Sequence, residues 1–231
     1  MNSKRVFLVA VALFAVLLAG FGLFIWLSPA KPEPTLVYID ISGAPVQGST
    51  TARFVIVEFG DFQCPYCGDH AKQVLPKLYR DYVAKGKLLY AFLNFPLPIH
   101  EDAPMAAAAA ACAGDQGKFW EMHHRLFDTG RIAMDQLYIH ATDLGLDTPR
   151  FRQCLDHGDV HISDDYAQGM RAHVSGTPTF FLGRIVGHMV MATAVFRGAV
   201  SYRSFEAAID EIVNNDRRMP TGVQPSQHGF Q

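Results

Sequence analysis

The sequence contains no block of basic residues, no internal repeat and no second Cys-x-x-Cys motif, and each absence closes off a class of function. With 20 basic against 22 acidic residues, a net charge of −2 and no basic cluster, nothing provides the electrostatic footprint of a nucleic-acid binder. Without a repeat, the about 195 residues that follow the N-terminal stretch read as one large domain, or one domain carrying an insertion. Without a second Cys-x-x-Cys, a structural zinc site lacks the other half of its ligands. Charged residues are also scarce, at 18% against 49% hydrophobic, a balance that supports a sizeable core and excludes a disordered chain.

What is present begins at the N-terminus. Lys4 and Arg5 precede an uncharged run from Val6 to Leu27, 22 residues long. As a helix it spans roughly 33 Å at ~1.5 Å per residue, enough to cross a hydrocarbon core of about 30 Å. Positive charge before the run keeps residues 1–5 cytoplasmic and sends the remainder across, with Trp26 near the outer boundary. The expectation is a single-pass protein of the inner (cytoplasmic) membrane, its folded domain in the periplasm or extracytoplasmic space. A cleaved signal peptide is the alternative. Its apolar stretch is shorter, ~7–15 residues, and Ser28-Pro29-Ala30 is a poor cleavage site because of its proline. Both readings put the rest of the chain outside. A buried core helix does not fit a run without a polar face.

Residues 28–42 read as a linker, stiffened by Lys31-Pro32-Glu33-Pro34, with Leu36–Ile41 a possible first strand. Phe54–Phe59 is short, β-branched and aromatic, the pattern of a buried strand. A helix follows from Pro65, with Ala71, Val74, Leu75, Leu78 and Tyr82 at helical spacing, a kink at Pro76 and a stop at Gly86. Leu88–Phe95 is a second buried strand. Residues 101–173 look wholly helical, Thr148 serving as one N-cap. Thr179–Leu182 is a third strand, Gly183-Arg184 a turn, and Ile185–Phe196 a fourth apolar stretch. A final helix opens at Ser201, and residues 216–231 read as a tail. The pattern is an α/β fold over residues 43–215, its sheet divided in sequence by an all-helical insertion.

Four cysteines in an exported chain meet an oxidising environment. Cys64-Pro65-Tyr66-Cys67 opens a helix. Unpaired backbone N–H groups and the helix dipole there favour an anion, so the Cys64 thiol falls from ~8.5 toward the 3.5–7.5 range. Cys67, one turn on, can attack a mixed disulfide and release the partner. Cys64 is thus the expected exposed nucleophile and Cys67 the resolving cysteine. So small a loop makes a poor structural staple. Haem attachment needs His after the second cysteine, where this chain has Gly68, and His70 and His100 could complete a zinc site only by accident of folding.

The run from Val55 through Glu58 and Phe62 to Cys67, together with Gly176-Thr177-Pro178-Thr179-Phe180-Phe181, resembles the active-site segments of the DsbA-like branch of the thioredoxin superfamily. The likeness extends over roughly residues 43–213 and includes the helical insertion. It implies a thioredoxin fold, a thiol–disulfide oxidoreductase without cofactor or resident metal, and a cis Pro178 beside the redox pair. It implies that Thr177 offers main-chain hydrogen bonds to an extended substrate, and that Glu58 is a buried acid relaying a proton for Cys67. A strand-edge charge facing water is the plainer reading of Glu58. The likeness and the oxidising compartment also imply a Cys112–Cys154 disulfide, which closes a loop of about 43 residues for ~4 kcal/mol in the chain-entropy model. Two buried free thiols are the alternative.

Function stays open in direction. The resemblance favours a disulfide-forming oxidase acting on cysteine-containing exported proteins and recycled by a membrane redox partner, a quinone-linked protein being one candidate. A reductase is the alternative. An isomerase usually needs a dimerisation module, for which the stretch before the domain is too short. A copper-handling assembly protein is the non-enzyme alternative. However, His188-Met189-Val190-Met191 on an alternating strand would point its ligands to opposite faces, and core packing fits it better. A holdase with a vestigial redox pair is a third class.

Overall fold

The computed structural model describes residues 37–157 and 162–218. Its central strand is β3 (Phe54–Gly60), every residue of which is buried. A β-branched and aromatic run without polar alternation suits a strand covered on both faces. It pairs parallel with β4 (Leu89–Asn94) and antiparallel with β5 (Thr179–Val186). Outside these lie β6 (Met189–Arg197) and β1 (Val37–Asp40) on one flank and β2 (Val46–Gln47) on the other, giving the order β1-β6-β5-β3-β4-β2.

Strand periodicity splits the core into two layers. Val55, Val57 and Phe59 pack with Ala91, Leu93 and Phe181 on one face. Ile56 packs with Tyr90, Phe180 and Leu182 on the other, beneath Leu75, Leu78, Phe205 and Ile209. Glu58 has the parity of Ile56, so its side chain enters this second layer.

The helix after β3 is not continuous α-helix. α1 (Pro65–Asp69) runs into a π-helical turn at His70–Val74, then α2 (Leu75–Leu78) and a second π-helical turn at Tyr79–Val83. Pro76 cannot donate to the carbonyl four residues back and its ring crowds that carbonyl, so the ladder widens ahead of it. The insertion consists of α3 (Ala103–Gly114), α4 (Phe119–Thr129), α5 (Met134–Asp143), α6 (Thr148–His157) and α7 (Ile162–Arg171). Alanine-rich α3 is buried almost all round and packs against the other four, because its methyl side chains allow close approach.

Three expectations are corrected. Thr148 lies inside α6; the cap is Asp147, whose Oδ1 accepts from Arg150 N at 3.0 Å. Gly183-Arg184 is not a turn but part of β5, which reverses only at Gly187-His188. Gly183 is needed because a Cβ there would lie 2.2 Å from the Met191 carbonyl oxygen, at an irregularity in the β5–β6 register. The first strand expected within Leu36–Ile41 is β1, paired with β6. The expected tail begins too early, since α8 (Tyr202–Arg218) contains Asp216, which pairs with Arg53 at 2.6 Å and also with Arg184. The expected anchor at 6–27, the residues flanking it through Leu36 and the chain beyond Arg218 lie outside the described residues. Among the described residues no helix is long and apolar enough to cross a membrane.

Gly183→Ala must displace backbone rather than a side-chain tip. The expected cost is about 1–3 kcal/mol, read as a lower midpoint in equilibrium urea denaturation.

Candidate active site

Cys64 occupies the N-cap of α1, with extended backbone (φ −72°, ψ 120°) and Pro65 in the first turn. Its amide donates to the Asp61 carbonyl oxygen at 3.1 Å, and its own carbonyl accepts from Gly68 N at 3.1 Å. Asp61 is the pin of this turn. Its buried carboxylate accepts from Gln63 N, Leu97 N and His100 Nδ1, each at 2.7 Å, joining the redox turn to the loop after β4. Sequence reasoning assigns Asp61 no part in the site and reads His100 only as an accidental zinc ligand. An Asp just before a helix start, able to bond the amide two residues on, is the signal that could have found it.

The Thr177–Pro178 peptide bond is cis, and the chain there returns directly over the redox turn. Cys64 Sγ donates to the Thr177 carbonyl oxygen at 3.2 Å. This contact corrects the expected exposure of Cys64, which is 5% exposed against 0% for Cys67. Beside it Tyr66 is 56% exposed and Pro65 is open to solvent, while Thr177 and Pro178 are buried. The little of Cys64 that reaches solvent lies beside the exposed Pro65 and Tyr66.

The two sulfurs are electrostatically opposite. A hydrogen bond from the Cys67 thiol brings the Cys64 thiol down to about 5 against the cost of burial, helped by the Thr177 side chain, not its carbonyl, and by the backbone N–H groups of Cys67 and Tyr66. Burial pushes the Cys67 thiol well up, and its bond to Cys64 and the charge of Glu58 push it further. Glu58 is 1% exposed, which removes the water-facing alternative. Burial lifts its carboxyl to about 8, although Tyr90 Oη donates to Oε2 and lowers it; the charge of Cys64 raises it further.

Cys112 on α3 and Cys154 on α6 form a disulfide, with the sulfurs 1.97 Å apart. His188 is exposed in the β5–β6 turn, Val190 is buried, and Met189 and Met191 are half-buried on the strand. Among the described residues no three His, Cys, Asp or Glu side chains are grouped to hold a metal ion. His70 and His100, the two histidines nearest the redox pair in sequence, are engaged with Tyr90 and Asp61.

A thioredoxin family profile matches residues 41–211. A Na(+)/H(+) antiporter NhaA 1 of Salinispora arenicola is 40% identical over 151 residues, 64% of this chain, which spans only 22% of that protein. A probable disulfide bond formation protein D of Bacillus cereus is 31% identical over 147 residues, 58% of this chain and 68% of that one. The crystal structure of oxidised BdbD from Bacillus subtilis superposes with a TM-score of 0.67 at 22% identity, covering 78% of this chain and 98% of that chain.

Glu58 gives the site a signature in stability. Between the ordinary value of 4.5 and its native value of about 8, the folded protein holds a proton that the unfolded chain has released, so stability falls as pH rises through that window. Glu58→Gln removes this slope. Denaturation of the reduced protein at pH 5 and pH 8 is expected to show the variant gaining on the wild type at the higher pH.

Proposed function

Because this chain belongs to the thioredoxin family, in its DsbA-like branch, we propose that it is a thiol–disulfide oxidoreductase that donates a disulfide to exported proteins. In the oxidised enzyme Cys64 and Cys67 share the reactive disulfide. A substrate thiolate attacks the Cys64 sulfur, the Cys64–Cys67 bond breaks, and Cys67 leaves as a thiolate that takes a proton from Glu58. A second substrate thiolate then attacks the substrate sulfur of the mixed disulfide and expels Cys64 as a thiolate. The substrate loses two electrons and gains one disulfide, and the enzyme is left as the dithiol. A membrane redox partner reverses the sequence. Cys64 attacks the partner's disulfide, Glu58 takes the proton of Cys67, and Cys67 closes the ring.

The observation that carries the direction is the depressed thiol of Cys64, because a sulfur that ionises easily is a good leaving group and stabilises the reduced state. At pH 7 a thiol ionising near 5 rather than near 9 favours the dithiol by at most about 3 kcal/mol, roughly 60 mV for a two-electron couple. The cis-proline loop supports a role in holding an extended substrate. Once Cys64 is a thiolate or bridged, its sulfur has no proton for the Thr177 carbonyl, which is then open to a substrate N–H. An anchor at residues 6–27 would hold this chemistry at the outer face of the inner membrane, next to such a partner.

The test is the reduction potential of the Cys64–Cys67 couple in the full chain, equilibrated with glutathione. A donor is expected well above the about −270 mV of thioredoxin, toward the about −120 mV of DsbA. A value at the thioredoxin end would overturn the direction and make the protein a reductase.

A further inference from the structure

The redox helix carries a second buried group. His70 lies three residues beyond Cys67, on the same helical face, and is 3% exposed. Its Nε2 is 2.9 Å from Tyr90 Oη, which in turn donates to Glu58 Oε2. The imidazole is held between rings, with centroids 4.4 Å from Phe180 and 5.6 Å from Phe205. Two atoms of the row, Glu58 Oε1 and His70 Nδ1, are buried without a hydrogen-bond partner.

The proton count fixes the direction of the row. Tyr90 has one proton, and a carboxylate only accepts, so ionised Glu58 takes that proton at Oε2. The tyrosine oxygen must then accept from His70, which puts the imidazole proton on Nε2 and leaves Nδ1 bare. When Glu58 holds a proton on Oε2 the row can reverse, with Glu58 donating to Tyr90, Tyr90 to His70 Nε2, and the imidazole proton on Nδ1. The two arrangements differ by one proton, and the imidazole is neutral in both. Burial agrees with that, pushing the imidazole down to about 3.

We propose that His70, acting through Tyr90, is a positioning residue that sets when Glu58 can accept the proton of Cys67. This rests on the relay role given to Glu58 above. The Nε2–H bond polarises the tyrosine hydroxyl and makes it a better donor to the carboxylate. Without it Glu58 is a worse-stabilised anion and ionises at higher pH. Other titratable groups face this row. Cys64 and Cys67 from α1 interact with Glu58, and His123 on α4 is within electrostatic range of His70; β5 and α8 contribute Phe180 and Phe205.

The test follows the rate at which Cys67 resolves a mixed disulfide between Cys64 and glutathione, measured against pH in the full chain. The midpoint belonging to Glu58 is the one that Glu58→Gln abolishes. It is expected to rise by about one pH unit in Tyr90→Phe and by about half a unit in His70→Phe, and to return toward the wild-type value in His70→Gln, whose amide N–H replaces the donor. Tyr90→Phe removes the direct donor to Glu58 whatever stands at 70, so His70→Leu, smaller than phenylalanine, carries the test if His70→Phe does not fold. An unmoved midpoint in the His70 variants, with the Glu58 dependence intact, overturns the inference and leaves the relay role standing. A profile unaffected by Glu58→Gln overturns the relay role, and the inference with it.

Discussion

Everything in the site depends on which of two sulfurs carries a charge. Cys64 and Cys67 are three residues apart, yet one sits at the open end of a helix and the other a turn inside it. Bringing a thiol from near 9 down to about 5 takes about 5 kcal/mol, whereas a helix terminus supplies ~0.3–2 kcal/mol. The dipole is therefore insufficient, and the difference rests on hydrogen bonds to the sulfur. Those from Cys67, Tyr66 and Thr177 need the helix start and the cis-proline loop to be in register. A local motif thus acquires its chemistry from a segment more than a hundred residues away.

The scaffold is arranged to keep that register. β3 is the buried centre of the sheet and ends at the redox turn, and β5 begins directly after the cis proline, so antiparallel pairing of the two strands brings the turn and the loop together. Asp61 ties the same turn to the loop after β4. The cost of this rigidity is concentrated at Glu58, a carboxyl with no access to water and one of its two oxygens without a partner. A fold selected for stability alone would place an apolar side chain there, as at Ile56 beside it.

Much of this was legible in the sequence where the cause is local. The placement of Cys64 and Cys67 follows from two cysteines at a helix start, the buried strand from β-branched and aromatic residues, and the insertion from its alanine-rich and amphipathic runs. The Cys112–Cys154 bridge needed the compartment argument and a resemblance as well. What escaped depends on pairing across the fold. Cys64 was expected to be exposed because nothing near it in sequence shows Thr177 lying over it. Gly183 looked like a turn because its need for a missing side chain comes from Met191 on the next strand. The row from His70 through Tyr90 to Glu58 crosses a helix and two strands, and only the rule that a buried tyrosine hydroxyl seeks a partner hinted at it. Thr148 and Asp147 were a near miss between adjacent residues that both make good caps.

The most direct measurement is the titration of the thiolate absorbance of the full chain with Cys64 and Cys67 reduced and the Cys112–Cys154 disulfide intact. Cys112 and Cys154 are bonded to each other and do not titrate, so the signal comes from Cys64 and Cys67 alone. One thiolate appearing near pH 5 and the second only well above the ordinary range is the expected result. Two thiolates appearing together at the ordinary value of about 8.5 would contradict the division of charge on which the site and its proposed chemistry depend.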